Sequence, residues 1–240
     1  MKNEVYIIAE VGSVHDGSFG NAKKLVELAA DCGADAIKFQ THIADSETLR
    51  NAPSPGYFSD EPRYEYFERT GFNLRQWKTL IEVAADNNID FLSSPFSCAA
   101  VELLEDAGVH SYKIPSGEVN NHLMLRQIAQ TQKPVFLSSG MSNWKELDQA
   151  VDIFTGLGCA LTVMQCSSMY PCPNKYVGLN VIGEMKARWG LPVGFSDHTS
   201  ENFACFAAVV FGVSVIEKHF TFSREMYGSD AKNSSDPNQF

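Results

Sequence analysis

The chain has 240 residues, 44% of them hydrophobic and 20% charged, which is enough apolar material for one large α/β domain or two small ones. A formal charge of −10 argues against nucleic acid and anionic membranes as partners. No apolar run approaches the ~20 residues of a membrane span, and the six scattered cysteines are typical of reduced thiols in a cytoplasmic protein.

Short apolar stretches alternate along the chain with helical patterns. The predicted strands are 5–12, 35–41, 90–96, 111–117, 134–140, 160–166, 192–198 and 213–220. The predicted helices are 21–33, 73–88, 99–108, 122–131, 143–158, 181–190 and 201–212. Eight such units predict an α/β fold, a (β/α)8 TIM barrel that forms a single catalytic domain over residues 1–240. A doubly wound open sheet is the second choice, but the chain has no GxGxxG or GxxxxGK[ST] motif.

Two segments interrupt the alternation. Residues 42–72 join the second strand to its helix, whereas such connections usually have roughly 2–6 residues, so we expect an ordered lid or an interface. Its aromatic side chains, which need burial, are Tyr57, Phe58, Tyr64, Tyr66 and Phe67. The polar tail 222–240 contains no eighth helix, and a barrel without that helix exposes an apolar flank. We therefore expect a chain cut short or a homodimer.

Two histidines lie at the ends of the last two predicted strands. Because parallel neighbours are about 4.8 Å apart, His198 and His219 are expected side by side at one end of the sheet, where they could share a divalent metal ion. A pair of hydrogen-bonded core histidines is the alternative, and imidazoles alone do not select manganese over zinc or cobalt. His15 and His42 lie just beyond strand ends and could support the site from behind.

Charged and hydroxyl side chains occupy the other strand ends. Lysines inside a barrel are costly unless they are paired or bind an anion, so we interpret Lys38 and Lys113 as anion-binding groups. We expect Glu217 to neutralise one of them. The candidate acid–base carboxylates are Glu10 and Glu118, although Glu118 could equally cap the next helix. The accompanying serines, which suggest a phosphate and carboxylate cradle, are Ser93, Ser94, Ser116, Ser138, Ser139, Ser167, Ser168 and Ser196.

These residues belong to ordered motifs that run through nearly the whole chain. The motifs are AEVGSVHDG (9–17), KFQTH (38–42), SSPFS (93–97), KIPSGEVNN (113–121), SSGM (138–141), CSSMYPCP (166–173), GFSDHT (194–199), EKHFT (217–221) and MYGSD (226–230). With them the chain resembles the sialic acid synthase family, enzymes that make N-acetylneuraminic acid and related nonulosonates. A single motif would be weak, but their number and order make the resemblance specific.

The resemblance implies a barrel that condenses phosphoenolpyruvate with an open-chain 2-acetamido sugar, such as N-acetylmannosamine, and releases phosphate. It implies a divalent metal, usually manganese, on His198 and His219, and it places Glu118 near the reacting carbons. The residues implied in phosphoenolpyruvate binding are Lys38, Ser94, Lys113, Ser116, Ser138, Ser168 and Ser196. The residues that match positions on the sugar side are Glu10, Gln40, Tyr170 and Asp230.

The chain departs from the family pattern at three points. Val14 stands where the family usually has asparagine, and the position of Ser168 is often asparagine. The family also carries a C-terminal antifreeze-like domain that supplies an arginine to the sugar in a partner's barrel, and this chain contains the barrel domain only. If these 240 residues are the complete natural protein, we expect altered sugar binding or weaker activity. A related phosphoenolpyruvate-dependent synthase that uses another aldose and a non-catalytic barrel homologue are the alternatives.

Overall fold

Eight parallel strands close into a barrel in chain order. The computed structural model describes residues 5–53, 61–228 and 230–240, so Tyr57, Phe58 and Ser229 lie outside the described residues. Each strand pairs with the next, and β8 pairs with β1, which confirms the predicted TIM barrel and excludes the open sheet. The strands are β1 (Tyr6–Gly12), β2 (Ala36–Thr41), β3 (Asp90–Pro95), β4 (Ser111–Ile114), β5 (Val135–Ser138), β6 (Leu161–Cys166), β7 (Val193–Asp197) and β8 (Val215–His219).

Helices cover the outside of the barrel, each with an apolar face against the strands. They are α1 (Phe19–Asp31), α4 (Leu74–Asp86), α5 (Cys98–Ala107), α6 (His122–Gln130), α7 (Trp144–Gly156), α8 (Val181–Trp189) and α9 (Phe203–Val210). The predicted capping box at the start of α7 is confirmed, because the side chains of Asn143 and Glu146 each accept from the other's backbone N–H. In the described residues, no helix has the length and apolar character needed to span a membrane.

The long connection between β2 and α4 is ordered where the structure describes it. It contains two helices, α2 (Ala44–Glu47) and α3 (Arg63–Thr70). The aromatic side chains of Tyr64, Tyr66 and Phe67 are buried in a small cluster with Ala44, which agrees with the expected burial of the aromatic residues in this connection. These helices lie at the carboxyl-terminal end of the barrel, where Arg63 reaches a cavity described below.

The tail after β8 folds back on the barrel instead of forming an eighth helix. In its described part, Ser235 pairs with Phe220, and the ring of Phe240 packs 5.0 Å from that of Phe220. The apolar flank predicted from the missing helix is nevertheless present on α9, where Phe203 is 67% exposed, Phe206 66% and Val210 87%. All six cysteines are free, as predicted.

Candidate active site

Alternation along the strands places polar side chains above an apolar floor inside the barrel. Five buried side chains form that floor; they are Ile8, Ala36, Leu92, Met164 and Val215. Side chains two residues apart on a strand point the same way, so each floor residue is followed inside the barrel by a polar one. The followers are Glu10, Lys38, Ser94, Cys166 and Glu217, and all five line one cavity. The site thus forms at the carboxyl ends of the strands, where barrel enzymes carry their active sites.

This cavity has a volume of about 430 Å³ and brings together thirteen of the fourteen predicted site residues. They are Glu10, Lys38, Gln40, Ser94, Lys113, Ser116, Glu118, Ser138, Ser168, Tyr170, Ser196, His198 and His219. The fourteenth, Asp230, is not on the wall. Its Oδ2 accepts a hydrogen bond of 3.3 Å from the backbone N–H of Ser13 at the rim.

Two buried lysines and two buried glutamates form a connected ion-pair network in the cavity. Lys38 Nζ lies 2.5 Å from Glu10 Oε2 and 3.9 Å from Glu217 Oε2. Lys113 Nζ lies 3.5 Å from Glu217 Oε1, which also accepts a 2.9 Å hydrogen bond from Ser196 Oγ. The predicted pairing of Glu217 is confirmed, and Glu217 pairs with both lysines instead of one.

The network favours the ionised forms of Glu217 and Lys38 in spite of their burial. Burial alone would raise the pKa of Glu217, but Lys113 and Lys38 outweigh it and hold that pKa well below the usual range. Burial alone would lower the pKa of Lys38, but Glu10 and Glu217 outweigh it and raise that pKa. Lys38 and Lys113 also donate to the hydroxyls of Ser94 and Ser138, so each ammonium faces an oxygen-rich part of the cavity wall.

The two histidines meet at the ends of β7 and β8, as predicted, with ring centroids 5.7 Å apart. His198 Nδ1 lies 2.8 Å from the carbonyl oxygen of Ser167, which can only accept, so the hydrogen is on Nδ1. In the neutral ring, His198 Nε2 then carries the lone pair, and the Tyr170 hydroxyl lies 3.0 Å from it. Burial alone would lower the pKa of His198, but Cys166, the Ser167 carbonyl and Glu217 outweigh it and raise that pKa. This tautomer leaves a ring nitrogen of His198 available as a metal ligand.

The ring of His219 is buried, and its Nδ1 has no hydrogen-bond partner among the described residues. Burial lowers the pKa of His219, and His198 and Lys38 act in the same direction against Asp230 and Glu10. A neutral ring with an unsatisfied nitrogen suits a metal better than a structural hydrogen bond. In the part of the chain that the structure describes, no three His, Cys, Asp or Glu side chains cluster as a metal site, so the histidines would be the protein's donors.

Glu118 and Arg63 both line the cavity. Glu118 ends a 3₁₀ turn (Ser116–Glu118), and its Oε2 accepts from Asn121 Nδ2 at 2.9 Å. Burial raises the pKa of Glu118, while the Asn121 hydrogen bond and the charge of Arg63 oppose that shift. Asn121 itself caps α6, so Glu118 is not the cap. Glu118 supports the cap indirectly, through its hydrogen bond with Asn121.

The site prediction missed five wall side chains, namely Arg63, Phe96, Pro115, Met141 and Cys166. Alternation with Met164 could have found Cys166, since both point inward from β6. Arg63 belongs to the connection, whose path no sequence pattern specified.

The loop after β1 contains two residues whose predicted place was near the site. His15 is buried against Phe72, with ring centroids 4.6 Å apart, and its Nδ1 accepts from the Gly17 N–H. Burial lowers the pKa of His15 to about 4, so it supports the loop as a neutral ring. Val14 is buried in the hydrophobic core.

Comparisons with known proteins agree with this geometry. The model of the NeuB family matches residues 25–240. The chain is 39% identical to the N,N'-diacetyllegionaminic acid synthase of Campylobacter jejuni over 97% of this chain and 72% of that protein. It is 32% identical to the human N-acetylneuraminate-9-phosphate synthase over 98% of this chain and 67% of that protein. A crystal structure of the N-acetylneuraminic acid synthetase from Leptospira borgpetersenii, in complex with citrate, matches with a TM-score of 0.88 and 30% identity, over 99% of this chain and 80% of that chain.

Proposed function

This chain belongs to the NeuB family, and we propose that it condenses phosphoenolpyruvate with an open-chain 2-acetamido sugar to give a sialic acid or a related nonulosonate plus phosphate. The observation that carries the proposal is the single cavity that gathers the lysines, the hydroxyls, the paired histidines and Glu118. The relatives named above are synthases of such acids, and their matches cover nearly the whole chain.

The charges on the cavity wall support a metal as well as an anionic substrate. Three carboxylates line the cavity with three cations; they are Glu10, Glu118 and Glu217 with Lys38, Arg63 and Lys113. Counted as ionised, these six described side chains carry no net charge, so they offer phosphoenolpyruvate no excess positive charge. A divalent cation such as Mn²⁺, held by His198 and His219, would supply that excess, polarise the aldehyde oxygen and lower the pKa of a bound water.

In the proposed reaction, the methylene carbon of phosphoenolpyruvate forms a bond to the aldehyde carbon, and the aldehyde oxygen becomes a hydroxyl. Water adds to the phosphate-bearing carbon and gives up one proton, which balances the proton that the aldehyde oxygen takes up. The C–O bond to phosphate then breaks, so inorganic phosphate leaves with the bonding electrons, and the added hydroxyl loses its proton to phosphate as the ketone forms. Lys113 and Lys38 hold the anionic groups through their ammonium charges, and Ser94, Ser116, Ser138, Ser168 and Ser196 supply hydroxyl donors around them.

Glu118 is the carboxylate proposed to act at the reacting carbons. A carboxylate there stabilises the cationic character that develops on the phosphate-bearing carbon, or accepts a proton from the incoming water. Glu10, Gln40 and Tyr170 are proposed to contact the sugar, because they line the same cavity as the histidines. Asp230 is proposed to reach the sugar from the rim, where the Ser13 N–H holds it.

A related synthase that uses another aldose is the second candidate, and Arg63 at the mouth is a feature that could select a different sugar. A barrel that binds without turnover is disfavoured, since four buried charged side chains are costly to keep without a reaction.

Phosphate release from phosphoenolpyruvate with Mn²⁺, across a panel of acetamido and other aldoses, tests these functions. Release with an N-acetylmannosamine-like sugar supports the proposal, and release only with other aldoses supports the second candidate. No release with any sugar in the panel would defeat both. A His219→Ala variant with an unchanged circular dichroism spectrum and undiminished release would remove the metal assignment.

Location and assembly complete the proposal. Six free thiols and a phosphoenolpyruvate-dependent reaction are consistent with the cytoplasm.

We propose self-association through the exposed apolar face of α9, which presents Phe203, Phe206 and Val210. Sedimentation at several concentrations tests this, and an equally small species for the wild type and for Phe206→Ser would contradict it.

A further inference from the structure

His42, the first residue after β2, lies between two aromatic rings. The ring of Phe67 from α3 is 3.8 Å from the His42 ring at an interplanar angle of 8°, and the ring of Phe96 is 4.1 Å away at 22°. The side chains of His42 and its ion-pair partner Glu47 are only 6% and 4% exposed. The long connection thus contributes both an aromatic face and a buried carboxylate to this one imidazole.

Hydrogen bonds lead from that imidazole directly to the cavity. His42 Nδ1 lies 2.6 Å from Glu47 Oε1, and His42 Nε2 lies 3.2 Å from Gln40 Oε1. Gln40 Nε2 donates in turn to Glu10 Oε1 at 2.8 Å. The second oxygen of Glu47 accepts from the Ile43 backbone N–H at 3.3 Å, so the carboxylate is held on both sides. A continuous chain therefore joins Glu47 in α2 to Glu10 inside the barrel.

The Gln40 amide oxygen sets the direction of the hydrogen bond at His42 Nε2. That oxygen can only accept, so the hydrogen of this contact belongs to Nε2. Glu47 holds the opposite ring nitrogen, Nδ1, and the rings of Phe67 and Phe96 enclose the imidazole. Turning the Gln40 amide over would put its oxygen against the Glu10 carboxylate, which is a repulsive contact. The Nε2–H of His42 therefore fixes which way the Gln40 amide faces.

We propose that His42, held by Glu47, is a positioning residue. It keeps the NH₂ group of Gln40 directed at the Glu10 carboxylate on the cavity wall. This inference rests on the proposed function, because the amide so oriented is offered to the hydroxyl and acetamido groups of the sugar. It also gives the long connection a specific role: the packing of α2 and α3 sets the hydrogen-bonding pattern that the sugar meets, while the phosphoenolpyruvate side of the cavity is held by other residues.

Two matched substitutions test the proposal, since each amide replaces a different ring nitrogen. The side-chain nitrogen of His42→Gln falls near the position of Nε2 and can still donate to Gln40 Oε1, whereas that of His42→Asn falls near Nδ1 and reaches only Glu47. We expect the KM for the sugar to rise about tenfold in His42→Asn and less than threefold in His42→Gln. The KM for phosphoenolpyruvate should stay within twofold of the wild type in both.

A double-mutant cycle separates positioning from a general role in packing. If His42 acts through Gln40, then His42→Asn should change the sugar KM little in a Gln40→Met background. An equal tenfold rise in that background would overturn the proposal, as would equal effects of the two His42 variants or a parallel rise in the phosphoenolpyruvate KM.

Nitrogen-15 NMR of the His42 ring gives a readout that does not need turnover. We expect a hydrogen on Nε2 of His42 in the wild type. A wild-type ring with a bare Nε2 would overturn the proposal even in an active enzyme. Absence of phosphate release by the wild type with every sugar would instead defeat the proposed function, while the NMR result still decides the hydrogen-bond arrangement.

Discussion

Tyr170 occupies the lone pair through which His198 would bind a metal. Its hydroxyl lies 3.0 Å from Nε2, and the other ring nitrogen already donates to the Ser167 carbonyl. Metal binding at His198 must therefore compete with this hydrogen bond. Removing a hydrogen bond of about 1 kcal/mol predicts that Tyr170→Phe binds Mn²⁺ about fivefold more tightly, measured by calorimetry on metal-free protein.

Tyr176→Phe is the matched control for that measurement, because Tyr176 lies in the same loop and is 52% exposed. Its Mn²⁺ affinity should equal that of the wild type. Unchanged or weaker Mn²⁺ binding by Tyr170→Phe would show that the tyrosine does not compete for His198.

Lys218 stabilises the segment that carries His198 from the opposite face of β8. Its Nζ lies 2.6 Å from Asp197 Oδ2 and donates to the backbone carbonyls of Thr199 and Glu201, both at 3.0 Å. The two charged side chains are 6% and 0% exposed, so Lys218→Met would leave a buried, unpaired carboxylate. We expect a loss of about 3–5 kcal/mol in the free energy of unfolding, measured by urea denaturation.

The double variant Lys218→Met with Asp197→Asn removes the stranded charge and should recover part of that loss. Lys78→Met, at an exposed lysine of α4, should leave the stability unchanged. A loss below 1 kcal/mol for Lys218→Met would mean that this pair does not hold the segment.

Single residues were predictable from the sequence where strand alternation alone decides their direction. The inward positions of Lys38, Lys113 and His219 follow from period two, and so does the outward position of Asp197. The pairing of Glu217 with both lysines instead of one depends on the curvature of the closed barrel, which brings β2 and β4 within reach of β8. No linear pattern contains that distance.

At the scale of elements, the long connection is fastened to the loop after β1. The Nη2 atom of Arg69 in α3 lies 2.8 Å from Asp16 Oδ1. Gly17, which follows Asp16, has a φ of +76°. A Cβ at Gly17 would come within 2.7 Å of the Arg69 backbone carbonyl oxygen. Glycine is thus required both for the left-handed backbone and for the close approach of α3.

Gly17→Ala should therefore cost about 2 kcal/mol or more and loosen α3 from the barrel. Hydrogen exchange of the α3 amides and urea denaturation measure the two effects. Gly20→Ala is the matched control, because its new methyl would meet only Ser18 Oγ at 3.9 Å in helix α1. Equal stability and equal α3 protection in the two variants would contradict this account.

The sequence predicted that the long connection is ordered, but it did not predict how the connection folds. Its length and its aromatic residues predicted an ordered lid or interface, and the burial of Tyr64, Tyr66 and Phe67 agrees. The positions of Arg63 on the cavity wall and of Phe67 against His42 result from tertiary packing of α2 and α3. A segment without strand or long-helix periodicity gives no rule for such contacts.

At the scale of the whole molecule, closure of the barrel brings the separate strand ends together around one cavity. Lys38 from β2, Lys113 from β4, and the histidines that end β7 and β8 lie on the same cavity wall. Regular alternation of strands and helices was sufficient to predict this closure, because eight units have few other ways to bury both faces of a parallel sheet. We expect the choice of sugar to depend on Arg63, which the irregular connection contributes to the cavity wall.

Phosphate release by Lys113→Met, compared with the wild type and with Lys78→Met, tests most directly whether this cavity is where phosphoenolpyruvate reacts. Lys113 is buried beside Glu217 and Ser138, whereas Lys78 is exposed on α4. We predict a fall of about 100-fold in kcat/KM for phosphoenolpyruvate in Lys113→Met, with an unchanged rate in Lys78→Met. A folded Lys113→Met variant that releases phosphate at the wild-type rate would contradict the account.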